Sequence, residues 1–331
     1  MNIDKDTRVI ILPKLANESE KTDTNQTQEY KIINLPTPSD LTKFKSYLIY
    51  EKSNKIYELN IIKGENSSIT LKNGDAVKSI IIESIDPQLN GGGGGGVLQS
   101  ANIIIGSAFN FTFLLISIFE RHVENFNNLF KTIEDIRDSL SSLEGDWIYE
   151  INYDIYKQNL NNICDEILEN DTLFYKYCSR KSIEWINNKI LSLQNYILTS
   201  SNNNTILRKI ILELNDSTQL NHIIDENLIK QNSLIYSIDY ICDSYLPFMK
   251  EKLIDYYNYD FHLVENYLIE LKQKQKNLEI IENNMNEINS ITANTINNKN
   301  KNNNKKKNGS KNQSKKVAVG KGALDGFFKK A

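Results

Sequence analysis

Thiol and metal chemistry have little to work with in this sequence. Cys164, Cys178 and Cys242 are its only cysteines and His122, His222 and His262 its only histidines, all far apart and with no CxxC pair. That scatter predicts no metal site and no cofactor, and it suits a reducing compartment. Also missing are a GxSxG nucleophile turn, an HExxH helix and any Cys/His pair at useful spacing. Two-metal phosphodiester cleavage needs several carboxylates converging on one site. The acids here instead fall in runs such as Glu134-Asp135-Asp138 and Asp165-Glu166-Glu169, read as solvent-facing helical positions, with Glu144-Gly145-Asp146 in a turn as the best lone candidate. Catalysis by this chain alone is not expected.

Other absences bear on location and partners. Met1 to Arg8 is charged and lacks an apolar h-region, which predicts no secretory signal. Between Asp86 and Glu120 there is no charge at all, so a membrane span has to be weighed. Gln99, Asn102, Gly106 and Asn110 interrupt its apolar half, and a strand followed by a buried helix from Phe109 to Phe119 accounts for it better. The run Gly91 to Gly96 lacks both the following Lys-Ser/Thr of a phosphate loop and the spacing of GxGxxG, so it reads as a loop insertion.

Charge is unevenly placed. From Ile296 to Ala331 there are eleven lysines and one aspartate, leaving a net charge of −13 on the residues before them. Only the tail has the sign for nucleic acid. Lys305-Lys306-Lys307 and Lys315-Lys316 suit nuclear import, although lysine runs also serve as solvating tails. Aromatic residues stop at Tyr267 and return only at Phe327-Phe328. Leu324, Phe327 and Phe328 share one face of a single helical turn, and a low-complexity tail has no core of its own in which to bury them.

Before Ile105 the pattern is short, β-branched and aromatic: Arg8 to Leu15, Tyr30 to Leu35, Phe44 to Tyr50, Ile56 to Ile62, Ser68 to Lys72, Ser79 to Ile85 and Ala101 to Ile105. Polar turns separate these runs, Asn17 to Glu29 is a loop, and Pro36 and Pro38 are expected to end the second run. From Phe109 the period becomes helical, with helices expected over Ile155 to Leu168, Ser179 to Leu198, Leu234 to Leu246 and Leu263 to Ile281. Asp216 to Asn232 is a polar connection with room for a short helix around Ile223, and order is expected to fade by about Asn289. The fold expected is α+β: a small antiparallel β-barrel module over residues 1–106, a helical, winged-helix-like domain over 107–290, a disordered Lys/Asn-rich linker over 291–320 and a terminal peptide over 321–331.

Two basic-aromatic stretches are candidate sites. In Tyr175-Lys176-Tyr177-Cys178-Ser179-Arg180-Lys181, Ser179 suits a helix cap, and Lys176, Arg180 and Lys181 beside tyrosines are candidate nucleic-acid contacts. The competing reading makes Tyr175, Tyr177 and Trp185 core residues. The terminal peptide resembles the box that binds a PCNA-type sliding clamp, in which a Gln is followed three residues on by an aliphatic residue and then by two aromatics. Lys321 stands in the Gln position, so Leu324, Phe327 and Phe328 have to carry the binding.

The order of these pieces resembles the B subunit of eukaryotic type 2 ribonuclease H. The resemblance rests on Phe113-Leu114-Leu115-Ile116, on Tyr175-Lys176-Tyr177-Cys178-Ser179 with Trp185, on Asp243-Ser244-Tyr245-Leu246-Pro247 and on the terminal box. Asn110-Phe111 departs from the family's Asp-Pro. The resemblance implies a non-catalytic subunit whose N-terminal strands interweave with those of the C subunit into a triple barrel supporting the catalytic A subunit. It further implies a nuclear heterotrimer that cuts RNA in RNA/DNA hybrids and nicks at single ribonucleotides during replication and excision repair. The partners it implies are the A and C subunits, the sliding clamp and, through the complex, the hybrid, with no membrane. A linker of about thirty residues has a reach of roughly 30 Å, enough to tether a nuclease to a clamp. Two rivals stay open: a clamp-binding repair adaptor without nuclease partners, and a membrane-anchored protein using Val97 to Phe119.

Overall fold

The computed structural model describes residues 8–13, 30–62, 79–82, 96–98, 102–199, 204–216 and 224–302. The clamp-type peptide and its linker beyond Asn302, the Ser68 to Lys72 strand, the Asn17 to Glu29 loop, the helix around Ile223 and Gly91 to Gly95 lie outside them. By its internal contacts the chain divides into two units, Met1–Asn266 and Tyr267–Ala331.

In the first unit, strands β1 (Val9–Ile11), β2 (Tyr30–Thr37), β3 (Asp40–Tyr50), β4 (Lys55–Ile62), β5 (Ile80–Ile82), β6 (Gly96–Leu98) and β7 (Ile103–Phe109) precede the helices. Five of them form a sheet in the order β1-β7-β4-β3-β2, and β5 pairs with β6 in a separate ribbon. All pairings are antiparallel except β1 with β7, which run parallel. The expectation of a purely antiparallel module is corrected at that edge. Gly106 makes room for it, since a Cβ there would stand 2.6 Å from Leu12 Cδ2. Pro36 does not end β2, which runs on to Thr37 through an irregularity at Pro36/Thr37. As β2 is an edge strand, a residue without an N–H is tolerated there.

Helices α1 (Thr112–Arg121), α2 (Val123–Phe126), α3 (Ile133–Glu144) and α4 (Tyr153–Leu160) follow, then the hairpin β8 (Cys164–Glu169) and β9 (Thr172–Tyr177). Asn110 serves the start of α1 despite the changed dipeptide, because its Oδ1 accepts from the Thr112 amide at 3.0 Å. α3 opens on a capping box between Thr132 and Asp135. The helix expected over Ile155 to Leu168 is corrected: it stops at Leu160, and Cys164 starts a strand. Asn170 and Asp171, both at positive φ (47° and 61°), turn the chain. Two such residues form the tight turn that joins right-twisted strands, so Asp165, Glu166 and Glu169 stand on a hairpin and not on a helix.

After the hairpin come α5 (Ser179–Thr199), α6 (Thr205–Leu214), α7 (Glu226–Tyr245), α8 (Lys250–Tyr257) and α9 (His262–Asn302). α6, capped by Asn204, is a helix that was not among those expected from the sequence. Pro247 opens a short 3₁₀ turn between α7 and α8, as its missing N–H allows. α9 carries its helical backbone past Asn289 to Asn302.

One core spans the sheet and the helices. It joins Ile33, Leu35, Tyr47, Ile49, Ile56 and Phe109 of the strands to the apolar faces of α1, α3, α4, α5 and α7. Thr112 to Phe119 of α1 is buried on every side, so this uncharged segment is the central helix of the unit. Among the described residues no helix is long and apolar enough to cross a membrane.

Candidate functional site

Strand alternation gives the sheet two faces. The register Tyr47↔Glu58, Ile49↔Ile56 and Ile56↔Phe109 places these side chains on the face covered by helices. Leu48, Tyr50, Tyr57 and Leu59 project oppositely and cluster with Ile10, Leu12, Tyr30 and Ile104. On that second face Ile32, Phe44 and Ile61 are each 59% exposed.

Exposed apolar residues recur elsewhere in the β-module, in matched pairs. Ile11 and Ile105 stand opposite one another in the β1/β7 register, and Ile81 and Val97 in the β5/β6 register. Single exposed aliphatics are ordinary, whereas pairs matched in register on a small sheet and a separate ribbon are apolar surface of the kind proteins use to assemble.

The following segment, α1, a bridge between Lys131 and Tyr175, α3, α4 and the β8–β9 hairpin, has the order of a winged helix, with α4 in the recognition position. The N-terminal end of such a helix is the part that meets bases in DNA-binding relatives of this motif. Here Asn54, in the β3–β4 connection, holds that end: its Nδ2 donates to Asp154 at 3.5 Å, and its Oδ1 accepts from Asn152 Nδ2 at 3.4 Å. Exposed Asp154, Glu166, Glu169 and Asp171 flank it on the helix and wing.

The basic stretch resolves into separate roles. Tyr175 and Tyr177 are buried, and Trp185 packs against the core, in keeping with the core reading. Ser179 is the first residue of α5, and its hydroxyl donates to Glu120 at 2.5 Å. Lys181 donates to the Cys164 carbonyl at 2.8 Å and pairs with Asp165 at 2.9 Å, joining α5 to β8. Lys176 lies over the Phe130 ring at 4.9 Å. Arg180 reaches Glu184 one turn on at 3.7 Å and is the most exposed of the three cations.

Missed from the sequence was the buried carboxylate on which these elements converge. Glu120 accepts from Tyr177 at 2.7 Å, from Ser179 and from Lys252 at 2.8 Å, with its side chain 6% exposed. It therefore ties α1, β9, α5 and α8 together. Burial pushes its carboxyl upward, but the Lys252, Ser179 and Tyr177 hydrogen bonds outweigh that and hold it below the usual range. Its only mark in the sequence is a charge that follows a long uncharged run. Among the described residues no three His, Cys, Asp or Glu side chains gather as metal ligands.

A β-module with exposed apolar pairs, fused to a winged helix whose recognition end is held within its own chain, defines a protein built for assembly. Residues 11–110 match the model of the Ydr279p protein triple barrel domain, and residues 113–254 match the wHTH domain of the Ydr279p protein family, an RNase H2 complex component. The chain belongs to that family, as the B subunit of ribonuclease H2. No curated relative matches it in sequence.

Proposed function

We propose that this chain is the non-catalytic scaffold of a nuclear ribonuclease H2 heterotrimer. Its exposed sheet and ribbon residues meet the C subunit, the joined module supports the catalytic A subunit, and the complex cuts RNA in RNA/DNA hybrids and nicks at single ribonucleotides in DNA. The observation carrying this reading is the exposed apolar set Ile32, Phe44, Ile61, Ile81 and Val97. Each such side chain contributes roughly 1.5–3 kcal/mol when fully buried. Purifying the tagged chain from its own cells and assaying the eluate on a duplex with one embedded ribonucleotide tests the reading. Cleavage with two copurifying polypeptides is expected; a lone, inactive chain refutes it. Ile32→Asp with Phe44→Asp, both at exposed positions, is expected to leave the chain folded and to remove the copurifying polypeptides and the activity together.

The tail supplies the second half of the proposal. Lys321, Leu324, Phe327 and Phe328 form the peptide that engages a sliding clamp, concentrating the nuclease at replicating DNA. Phe327→Ala with Phe328→Ala is expected to weaken clamp binding more than about tenfold, as loss of two buried aromatics exceeds about 1.4 kcal/mol, while hybrid cleavage in solution stays unchanged. Calorimetry against the purified clamp, alongside the nuclease assay, reads both arms. For the winged helix, direct nucleic-acid contact falls to Lys176, Arg180 and Lys181, and Arg180→Ala tests the most exposed of them. A reduced salt dependence of hybrid binding by the complex is the expected result.

A further inference from the structure

A cleft of about 620 Å³ opens in the first unit between the end of β7 and α4. Carboxamides dominate its polar lining, those of Asn54, Asn110, Gln158, Asn159 and Asn162, and Lys55 is the one charged residue among the described residues that line it. Two of the amides are engaged within the chain. Asn54 holds the start of α4, and Asn159 accepts from Thr112 and donates to the Ile155 carbonyl. The others keep hydrogen-bonding capacity: Asn110 uses only its Oδ1 and Asn162 only its Nδ2. The Gln158 amide and the Lys55 ammonium, both on exposed residues, have no partner among the described residues.

The β7 side of the cleft is a strand edge. β4 covers one side of β7 as far as Phe109, but β1 pairs with the other side only from Ile103 to Ile105. β1 ends at Ile11, and Pro13, which has no N–H to offer, lines the cleft beside Ala108 and Phe109. From Ser107 to Phe109, alternate backbone N–H and C=O groups therefore point away from β4, and no strand among the described residues meets them.

We propose that this cleft holds an extended segment of one of the polypeptides that assemble with the chain, laid along β7 where β1 leaves it. An extended backbone carries donors and acceptors along both of its sides. One side meets the open groups of β7, and the other meets the α4 carboxamides, each of which can both donate and accept. A nucleic-acid strand would bring a row of phosphates, for which a lining of carboxamides with a single lysine is a poor match. The segment carries one Asp or Glu beside Lys55 and is otherwise uncharged within the cleft, since a second carboxylate would be desolvated there without a cation. The cleft volume lies within the roughly 300–1,000 Å³ of ordinary ligand sites, room for a few residues of such a segment. This site rests on the assembly reading above and adds to it a contact apart from the exposed apolar pairs.

Zero-length carbodiimide coupling, which joins an ammonium to a carboxylate only where the two touch, tests the site on the complex purified with its copurifying polypeptides. Mass spectrometry is expected to find Lys55 joined to an Asp or Glu of one of those polypeptides. Gln158→Trp, whose indole fills the cleft from an exposed position, is expected to abolish that link while both polypeptides still copurify. Lys55→Glu is expected to abolish it as well, and changing the mapped carboxylate to lysine in that background to bring it back with the two groups exchanged. If both polypeptides copurify, three results overturn this proposal alone: Lys55 joined only to carboxylates of this chain, no link at all, or a link that survives Gln158→Trp. Absence of copurifying polypeptides overturns it together with the assembly reading.

Discussion

Phe113→Ala is expected to cost about 3–5 kcal/mol of folding free energy, the usual loss for an aromatic deleted from a packed core. The ring stacks on Tyr245 at 4.4 Å and meets the edge of Trp185 at 4.9 Å. Tyr245 in turn approaches Phe109 at 6.2 Å, and Phe109 meets Tyr47 at 4.7 Å. This aromatic chain joins the sheet to α1, α5 and α7, so a cavity at Phe113 lies at the joint between β-module and helices. Tyr245 also reaches Glu58 through its hydroxyl at 3.5 Å. Burial pushes its phenol up to about 12, so it stays protonated as the donor. Urea denaturation followed by tryptophan emission measures the loss, since Trp185 touches the altered ring and Trp147 is the only other tryptophan. Phe113→Leu should recover most of the stability. A loss below about 1 kcal/mol for alanine would mean that the joint closes around the cavity.

Glu120→Ala is expected to cost about 2–4 kcal/mol, because it strands the buried Tyr177 hydroxyl and the Ser179 hydroxyl without their acceptor. Glu120→Gln keeps an acceptor and loses the charge, so it should cost less. Its pH dependence follows from the depressed carboxyl. A group whose pKa is lowered by folding contributes stability above its unfolded value, about 4.3 for glutamate, and loses it as pH falls through the folded value. The stability gap between the native chain and Glu120→Gln is therefore widest near neutral pH and closes under acid. Parallel urea titrations from pH 7 to about pH 3 check this. A gap independent of pH would show that the glutamate acts through shape and not through charge.

Several elements were legible because their signals are local. The 3.6-residue stripe from Ser179 and the apolar run after Phe109 located α5 and α1 to within a few residues. The β8–β9 hairpin was missed although its residues are as telling: Asn170-Asp171 is a turn pair, but Ile155 and Leu160 before it sustain a helical period that runs on through Ile163 and Ile167. Periodicity alone does not say where a period stops, and the choice of strand over helix came from pairing with Thr172 to Tyr177. The basic stretch shows the same limit. Its charges were visible in the sequence, whereas the commitment of Lys181 to Asp165 and Cys164 depends on residues brought beside it by the hairpin.

By itself, the sequence determined the β-rich character of the first hundred residues and the helical character that sets in after Phe109, the absence of a catalytic motif, the sorting of charge between body and tail, and the resemblance to the B subunit of ribonuclease H2. Each of these is written in neighbouring residues or in composition, where propensity and spacing act without the rest of the chain. The tertiary structure alone decided that β1 runs parallel to β7, that Asn54 holds the recognition end of α4, and that Glu120 gathers partners from three other elements. Those depend on contacts between residues dozens to more than a hundred positions apart, formed only when burying one shared apolar core offsets the entropy of closing such long loops.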